Sequence, residues 1–278
     1  MKSKRSLIIN VLLVAALVAG LCIIAYPSFS NRWNAARQSR AIAMYDQTVS
    51  SMDNSEKENL LERARKYNSE LSKLNAPLSD YKSLKGYEQT LDITGTGIMG
   101  YIEIPKINVY LPIYHGTSPD VLNVAVGHMQ GSSLPTGGKG CHTVISAHRG
   151  LPSAKLFSDI DQLTENDTFT ITVLDEMLCY EVDEINTVLP YEMYKLAAIP
   201  DKDYVTLMTC TPYGINTHRL LVRAHRIDLE QPHAVRVPAD AVPIDDMTVL
   251  PFIAAPVFIC LVLFWLFSGR PRKNVKKR

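Results

Sequence analysis

The sequence predicts a mainly β domain, a barrel or a sandwich, with helices on its N-terminal side and a membrane-spanning segment at each end. Three observations predict it. Beyond residue 97, short runs rich in β-branched and aromatic residues recur between Gly, Pro and Asp turns; residues 31 to 74 carry a helical period; and two long apolar stretches bracket the chain. With 278 residues, 46% hydrophobic and 21% charged, the chain is long enough for one sizeable domain with attached segments and too ordinary in composition to be disordered.

The apolar stretches come first. Leu7 to Tyr26 holds one polar residue, Asn10, and Val249 to Phe267 holds no charge; each approaches the roughly 20 residues a spanning helix needs. A cleaved signal peptide ending near Ser28 and Ser30 is the competing reading of the first, and the length of its apolar run argues against it. Pro251 and Pro256 fall inside the second, where neighbouring groups can satisfy the freed carbonyls. Arg270, Arg272, Lys273, Lys276, Lys277 and Arg278 follow the second stretch, and Asp240, Asp245 and Asp246 precede it, so the tail is expected in the cytoplasm and the domain outside. Around the first stretch Lys2, Lys4 and Arg5 are balanced by Arg32, Arg37 and Arg40, so the second decides a two-pass topology with both termini inside. The basic ends flank apolar runs, which reads as a membrane partner and excludes a nucleic-acid face.

Between the spans, residues 31 to 74 read as two helices. The second carries Leu60, Ala64, Tyr67, Leu71 and Leu74 on one face, with Ser55 and Glu58 at capping-box spacing. Turn formers fill Asn75 to Gly100. Strands are then expected at Tyr101 to Ile104, Val109 to Ile113, Thr143 to Ala147, Thr168 to Leu174, Leu178 to Val188, Tyr204 to Met208 and Leu220 to Ile227. Of five cysteines, Cys22 and Cys260 lie in the apolar stretches. That leaves Cys141, Cys179 and Cys210 in a compartment where disulfides form; either two of them are bridged and one is a thiol, or none is bridged.

The chemistry gathers where the last two strands meet. Thr206 to Cys210 ends one run, Pro212 and Gly214 mark a turn, and His218 to Val222 begins the next, so antiparallel pairing sets Cys210 beside Arg219. A fixed positive charge favours the thiolate that attacks a carbonyl, and Arg, which keeps its proton, can only act electrostatically on a carbonyl or developing oxyanion. Thr143 to Ala147 runs into His148-Arg149-Gly150, so His148 also sits at a strand end, and Cys with His is the usual pair for acyl transfer. By spacing alone His142, His218 and His225 compete with it. A zinc site from Cys141, His142 and His148 lacks any Cys-x-x-Cys or His-x-x-x-His pair.

Thr206-Leu207-Met208-Thr209-Cys210 with downstream Arg219, and Ala147-His148-Arg149-Gly150, resemble the active-site motifs of sortases. The resemblance runs from about Gly97 to Ile227; Met99 to Ile107 and Leu111 to Thr117 resemble the opening strands of the pilin-type, or class C, branch. It implies an eight-stranded β-barrel, with Cys210 as nucleophile, His148 as general acid and base, and Arg219 as substrate and oxyanion partner. It also implies a reaction: cleavage of a Leu-Pro-x-Thr-Gly type sorting signal between Thr and Gly, a thioester on cysteine, and transfer to a lysine amine of a pilin subunit. The alternatives are a housekeeping sortase anchoring surface proteins to cell-wall precursor, and a cysteine hydrolase. No cofactor and no metal are expected.

Pilin-type sortases commonly carry a lid before the barrel, and Ser79-Asp80-Tyr81 stands in the matching place, with Asp80 able to pair with Arg219 and Tyr81 able to cover Cys210. The usual Pro between Asp and the aromatic is missing here, and an Asp that simply caps a turn is the competing reading. The expected organisation is a cytoplasmic N-terminus (1–6), a span (7–26), a helical segment (27–74), a lid or linker (75–96), the catalytic barrel (97–230), a linker (231–248), a second span (249–267) and a basic cytoplasmic tail (268–278).

Overall fold

The computed structural model describes residues 4–228; the expected second span, its linker and the basic tail lie outside the described residues. Helix α1 runs unbroken from Lys4 to Ser51. The apolar stretch and the first helix expected after it are one continuous helix: Pro27 removes one backbone donor, and the residues on either side, from Leu17 to Ala41, contain many good helix formers. Among the described residues α1 is the one helix long and apolar enough to cross a membrane, with a mean hydropathy of 2.3 in its most apolar window.

From Ser30 onward the chain forms one compact unit. Here α1 is tied to the strands and their loops: Asn34 donates to the Ser153 carbonyl (2.8 Å) and Gln38 to that of Val124 (2.6 Å). Tyr45, fully buried, donates to the Met99 carbonyl and accepts from Leu174 N–H, and desolvation pushes its phenol far above the usual range. Helix α2 spans Asn54–Leu71. Its N-cap is Asp53, whose carboxylate accepts the Glu56 N–H at 2.7 Å, and not Ser55. Two overlapping cap patterns stand two residues apart, and the earlier wins because Asp53 takes the extended backbone a cap requires while Ser55 is already helical. Leu61, Ala64, Tyr67 and Leu71 are buried on one face of α2, and Asn68 on that face binds the backbone of Leu134 through both its amide nitrogen and oxygen. A one-turn helix α3 (Pro77–Asp80) follows.

Eight strands close a barrel: β1 (Ile98–Ile104), β2 (Val109–His115), β3 (Val126–His128), β4 (Cys141–Ser146), β5 (Thr168–Val173), β6 (Glu176–Val188), β7 (Asp203–Thr211) and β8 (His218–Ile227). They pair in the order β1-β2-β3-β4-β7-β8-β6-β5, and β5 returns to β1. The pairs β2–β3 and β4–β7 are parallel, and the other six are antiparallel. Strand β3 was not among the expected runs, since three residues are too few for an alternation to show. Gly100 marks a bulge in β1, and a side chain there would collide with the Thr172 carbonyl.

The period of two divides each strand between the barrel interior and its outside. Ile145 and Ala147 at β4, Val205 and Leu207 on β7, and Leu220, Val222 and Ala224 on β8 join the main core. The alternate residues Val144, Met208 and Leu221 belong to a second cluster, with Val188, Leu196, Met193 and Met129. This second cluster is buried on the outer side of β4, β7 and β8, with Leu78 and Met193 packed against it.

Candidate active site

Cys210 stands opposite Arg219 in the β7–β8 ladder, next to Thr209–Leu220 and Met208–Leu221. Two steps from Met208 and from Leu221, the pair lies on the same outer face as the second apolar cluster. His148 arrives from the other side of β7. The parallel β4–β7 ladder aligns Ile145 with Leu207 and Ser146 with Met208, and continuing that register brings His148 level with Cys210 on the outer face. Three strands thus contribute one residue each to one patch, although 62 positions separate His148 from Cys210.

All three side chains are half-buried, open enough for a polymer substrate to reach and shielded enough to strengthen charge effects. The Arg219 guanidinium is oriented by one nitrogen, Nη1, which donates to the carbonyls of Asn216 (3.3 Å) and His218 (3.1 Å). Its other nitrogens make no hydrogen bond among the described residues and can face a carbonyl oxygen at Cys210. The His148 imidazole likewise makes none among the described residues.

The other histidines are differently placed. His142 is buried with both ring nitrogens engaged: Nδ1 donates to the Ala197 carbonyl (3.0 Å) and Nε2 accepts from Thr206 (2.7 Å), a neutral ring that desolvation holds below its ordinary pKa. His128 is enclosed, accepts from Tyr87 Oη at Nδ1 (2.8 Å) and donates from Nε2 to Ser133 O, and burial pushes it down to about 4. His218 bonds Thr217, and His225 faces Asp183. Cys141 and Cys179 are both free thiols on strands separated by β7 and β8, so they do not meet. Among the described residues no cluster of three His, Cys, Asp or Glu side chains is placed to hold a metal ion.

The segment before the barrel is arranged otherwise than Asp80 and Tyr81 alone suggest. Asp80 ends α3 exposed, and among the described residues it forms no ion pair with Arg219. Tyr81 lies against Gly131, where an added Cβ would come within 3.1 Å of its ring. The residue of this segment that packs against the outer apolar cluster is Leu78, in company with Met208, two residues from Cys210. Beside it a cavity of about 560 Å³ is lined by Leu71, Pro77, Leu78, His142, Met193 and Leu196. Leu78 was not singled out from sequence; the only available signal was an apolar residue within a one-turn helix opened by Pro77.

A sortase domain model matches residues 102–227. Sortase C1 from Streptococcus agalactiae is 46% identical, with a TM-score of 0.63 over 69% of this chain and 100% of that one. The chain belongs to the sortase family. A sortase C of Streptococcus pneumoniae, whose structure bears on pilin substrate specificity, is 42% identical with a TM-score of 0.60, covering 69% and 99% of the two chains. Among curated sortases, sortase A of Streptococcus agalactiae serotype III (strain NEM316) is 29% identical over 130 residues, 46% of this chain, and the match spans about half (52%) of that relative's length. The neighbours in structure are thus class C sortases.

Proposed function

We propose that this sortase is a membrane-anchored cysteine transpeptidase that joins pilin subunits. Cys210 Sγ attacks the Thr carbonyl of a Leu-Pro-x-Thr-Gly type signal. Arg219 holds the oxyanion that forms, His148 gives a proton to the departing Gly amine, and a Thr thioester remains on Cys210. A lysine amine of the next pilin then attacks the thioester and passes a proton to His148. An isopeptide bond forms and the cysteine is regenerated. The observation that carries this reading is the convergence of Cys210, Arg219 and His148 on one outer face at the ends of three neighbouring strands. The apolar cluster beside them suits the Leu and Pro of the signal, and the likeness to a sortase C studied for pilin specificity supports the acceptor.

The segment 77–83 is read as a lid over this surface, with Leu78 as the residue that fills it; Asp80 and Tyr81 keep the roles of holding the segment toward Arg219 and closing it over Cys210 when it shifts. The catalytic domain is placed outside the membrane, anchored by α1. The test is intact-protein mass spectrometry of the full chain in detergent with a Leu-Pro-x-Thr-Gly peptide, with Cys210→Ala and Asp80→Ala run alongside. An acyl adduct that disappears with Cys210 supports the reaction. No adduct on the parent or on Asp80→Ala would overturn it.

A further inference from the structure

The β4–β7 ladder ends at Ser146–Met208, two positions short of His148 and Cys210. Parallel ladders are the weaker kind, and a strand end frays unless something holds it. Here other links carry the register onward. Ala147 N–H donates to the Met208 carbonyl (3.2 Å), and Thr209 Oγ1 donates to the Ala147 carbonyl (2.8 Å). Beyond these, Arg149 Nη1 reaches Thr211 Oγ1 at 3.5 Å.

Arg149 has further partners. Its Nη2 forms an ion pair with Asp161, its guanidinium carbon lies 5.8 Å from the centre of the Tyr213 ring, and its side chain is 10% exposed. Gly150 brings the same turn against the same ring: a Cβ there would stand 2.9 Å from Tyr213. The guanidinium therefore joins the turn carrying His148 to the turn that follows Cys210. The Arg149 side chain has Asp161, Thr211 and Tyr213 as its partners among the described residues, and neither His148 nor Cys210 is one of them.

We infer that Arg149 is a positioning residue, a clamp through Thr211, Tyr213 and Asp161 that keeps His148 level with Cys210 after the backbone ladder has ended. The inference rests on the reading of Cys210 and His148 as the acyl-transfer pair. Proton transfer tolerates little error in distance, and a displacement of roughly 1 Å can cost about a hundredfold in rate. A clamp of this kind sets kcat and leaves substrate binding alone.

The test compares the full chain in detergent with Arg149→Met, Arg149→Lys, Thr211→Val and, as a control at a distant ion pair, Lys106→Met. Arg149→Met is expected to lower kcat by about tenfold or more while KM stays within about threefold. Arg149→Lys keeps the charge beside Asp161 but one ammonium cannot span both Asp161 and Thr211, so it restores part of the loss. Thr211→Val moves kcat the same way by less, and Lys106→Met leaves it unchanged. Parental kcat in Arg149→Met overturns the inference, as does a loss that Lys106→Met shares in proportion to its melting temperature. If Arg149→Met does not fold, Thr211→Val decides alone, and parental kcat there overturns the clamp. If the parent forms no acyl adduct, the acyl-transfer reading fails separately. The iodoacetamide labelling rate at Cys210, which needs no substrate, then tests the clamp: a several-fold change in Arg149→Met supports it, and no change overturns it.

Discussion

Both ends of the β4–β7 strand pair carry a cysteine and a histidine, and they are built for opposite purposes. At the start of β4, Cys141 is half-buried and His142 fully buried. Burial pushes the Cys141 thiol up, nearby Asp203 adds to the effect, and Asn68 and Ser133 oppose it by hydrogen bonding; the His142 ring has both nitrogens committed. At the far end His148 and Cys210 are half-exposed on the outer face, beside the Arg219 cation, with the imidazole uncommitted among the described residues. The residue types are the same. Neighbours decide between them: a partly desolvated thiol near a carboxylate is held as a thiol, and a neutral imidazole fixed between an acceptor and a donor cannot move a proton.

The largest effects that could break this contrast are at the cysteines. Cys210→Ala is expected to abolish acyl-adduct formation, whereas Cys141→Ala leaves the rate within about twofold, since its thiol takes no part; intact-mass time courses with the sorting-signal peptide measure both. Next come the histidines. His148→Ala should lower turnover by about 10²–10⁴-fold, the range for loss of a general acid and base. His142→Ala should leave turnover nearly unchanged and lower the melting temperature by several degrees, because two buried partners lose their bonds. A parental rate in His148→Ala, or a collapsed rate in a folded His142→Ala, would reverse the assignment of the two ends.

Smaller effects sharpen the same comparison. If segment 77–83 is the proposed lid, Leu78→Ser, which removes an apolar side chain packed on the outer cluster, is expected to raise the rate of Cys210 alkylation a few-fold with no change at Cys141; equal labelling in parent and variant would count against that role. A separate effect is on stability against pH. His128, held at about 4 in the fold, titrates near 6.5 when unfolded. Between those values the unfolded chain binds the extra proton, so stability is full above about 6.5 and declines as pH falls toward 4, by about 3 kcal/mol in all. Thermal melts across this window should fall with acidification, and His128→Gln, though less stable overall, should give a flatter profile.

Much of this arrangement can be read in the sequence where contacts are local. The Cys210–Arg219 pairing follows from one hairpin, in which the end of a run, a Pro and Gly turn and the start of the next leave little freedom of register. The helical face of α2 is similarly legible from its spacing. Nonlocal placement is harder. His148 reaches Cys210 through a parallel pairing that skips two intervening strands, and no spacing distinguishes it from His142; only the motif around it did. The position of Leu78 depends on where a one-turn helix docks, and Asp53 shows that overlapping cap patterns are separated by backbone conformation, not by residue type.

The closed order of the eight strands also limits how a partner chain can attach. Every barrel strand has a neighbour on each side, so the sheet has no fully open edge strand to serve as a template for an incoming extended polypeptide; the one-sided stretches are short, as at Glu184 to Val188 of β6, which pairs with β8 alone. An extended segment thus finds no whole strand edge to lengthen. Under the proposed function, recognition of a linear signal falls to side chains standing on the outer face and to the loops around them, which ties selectivity to residue identity along the signal.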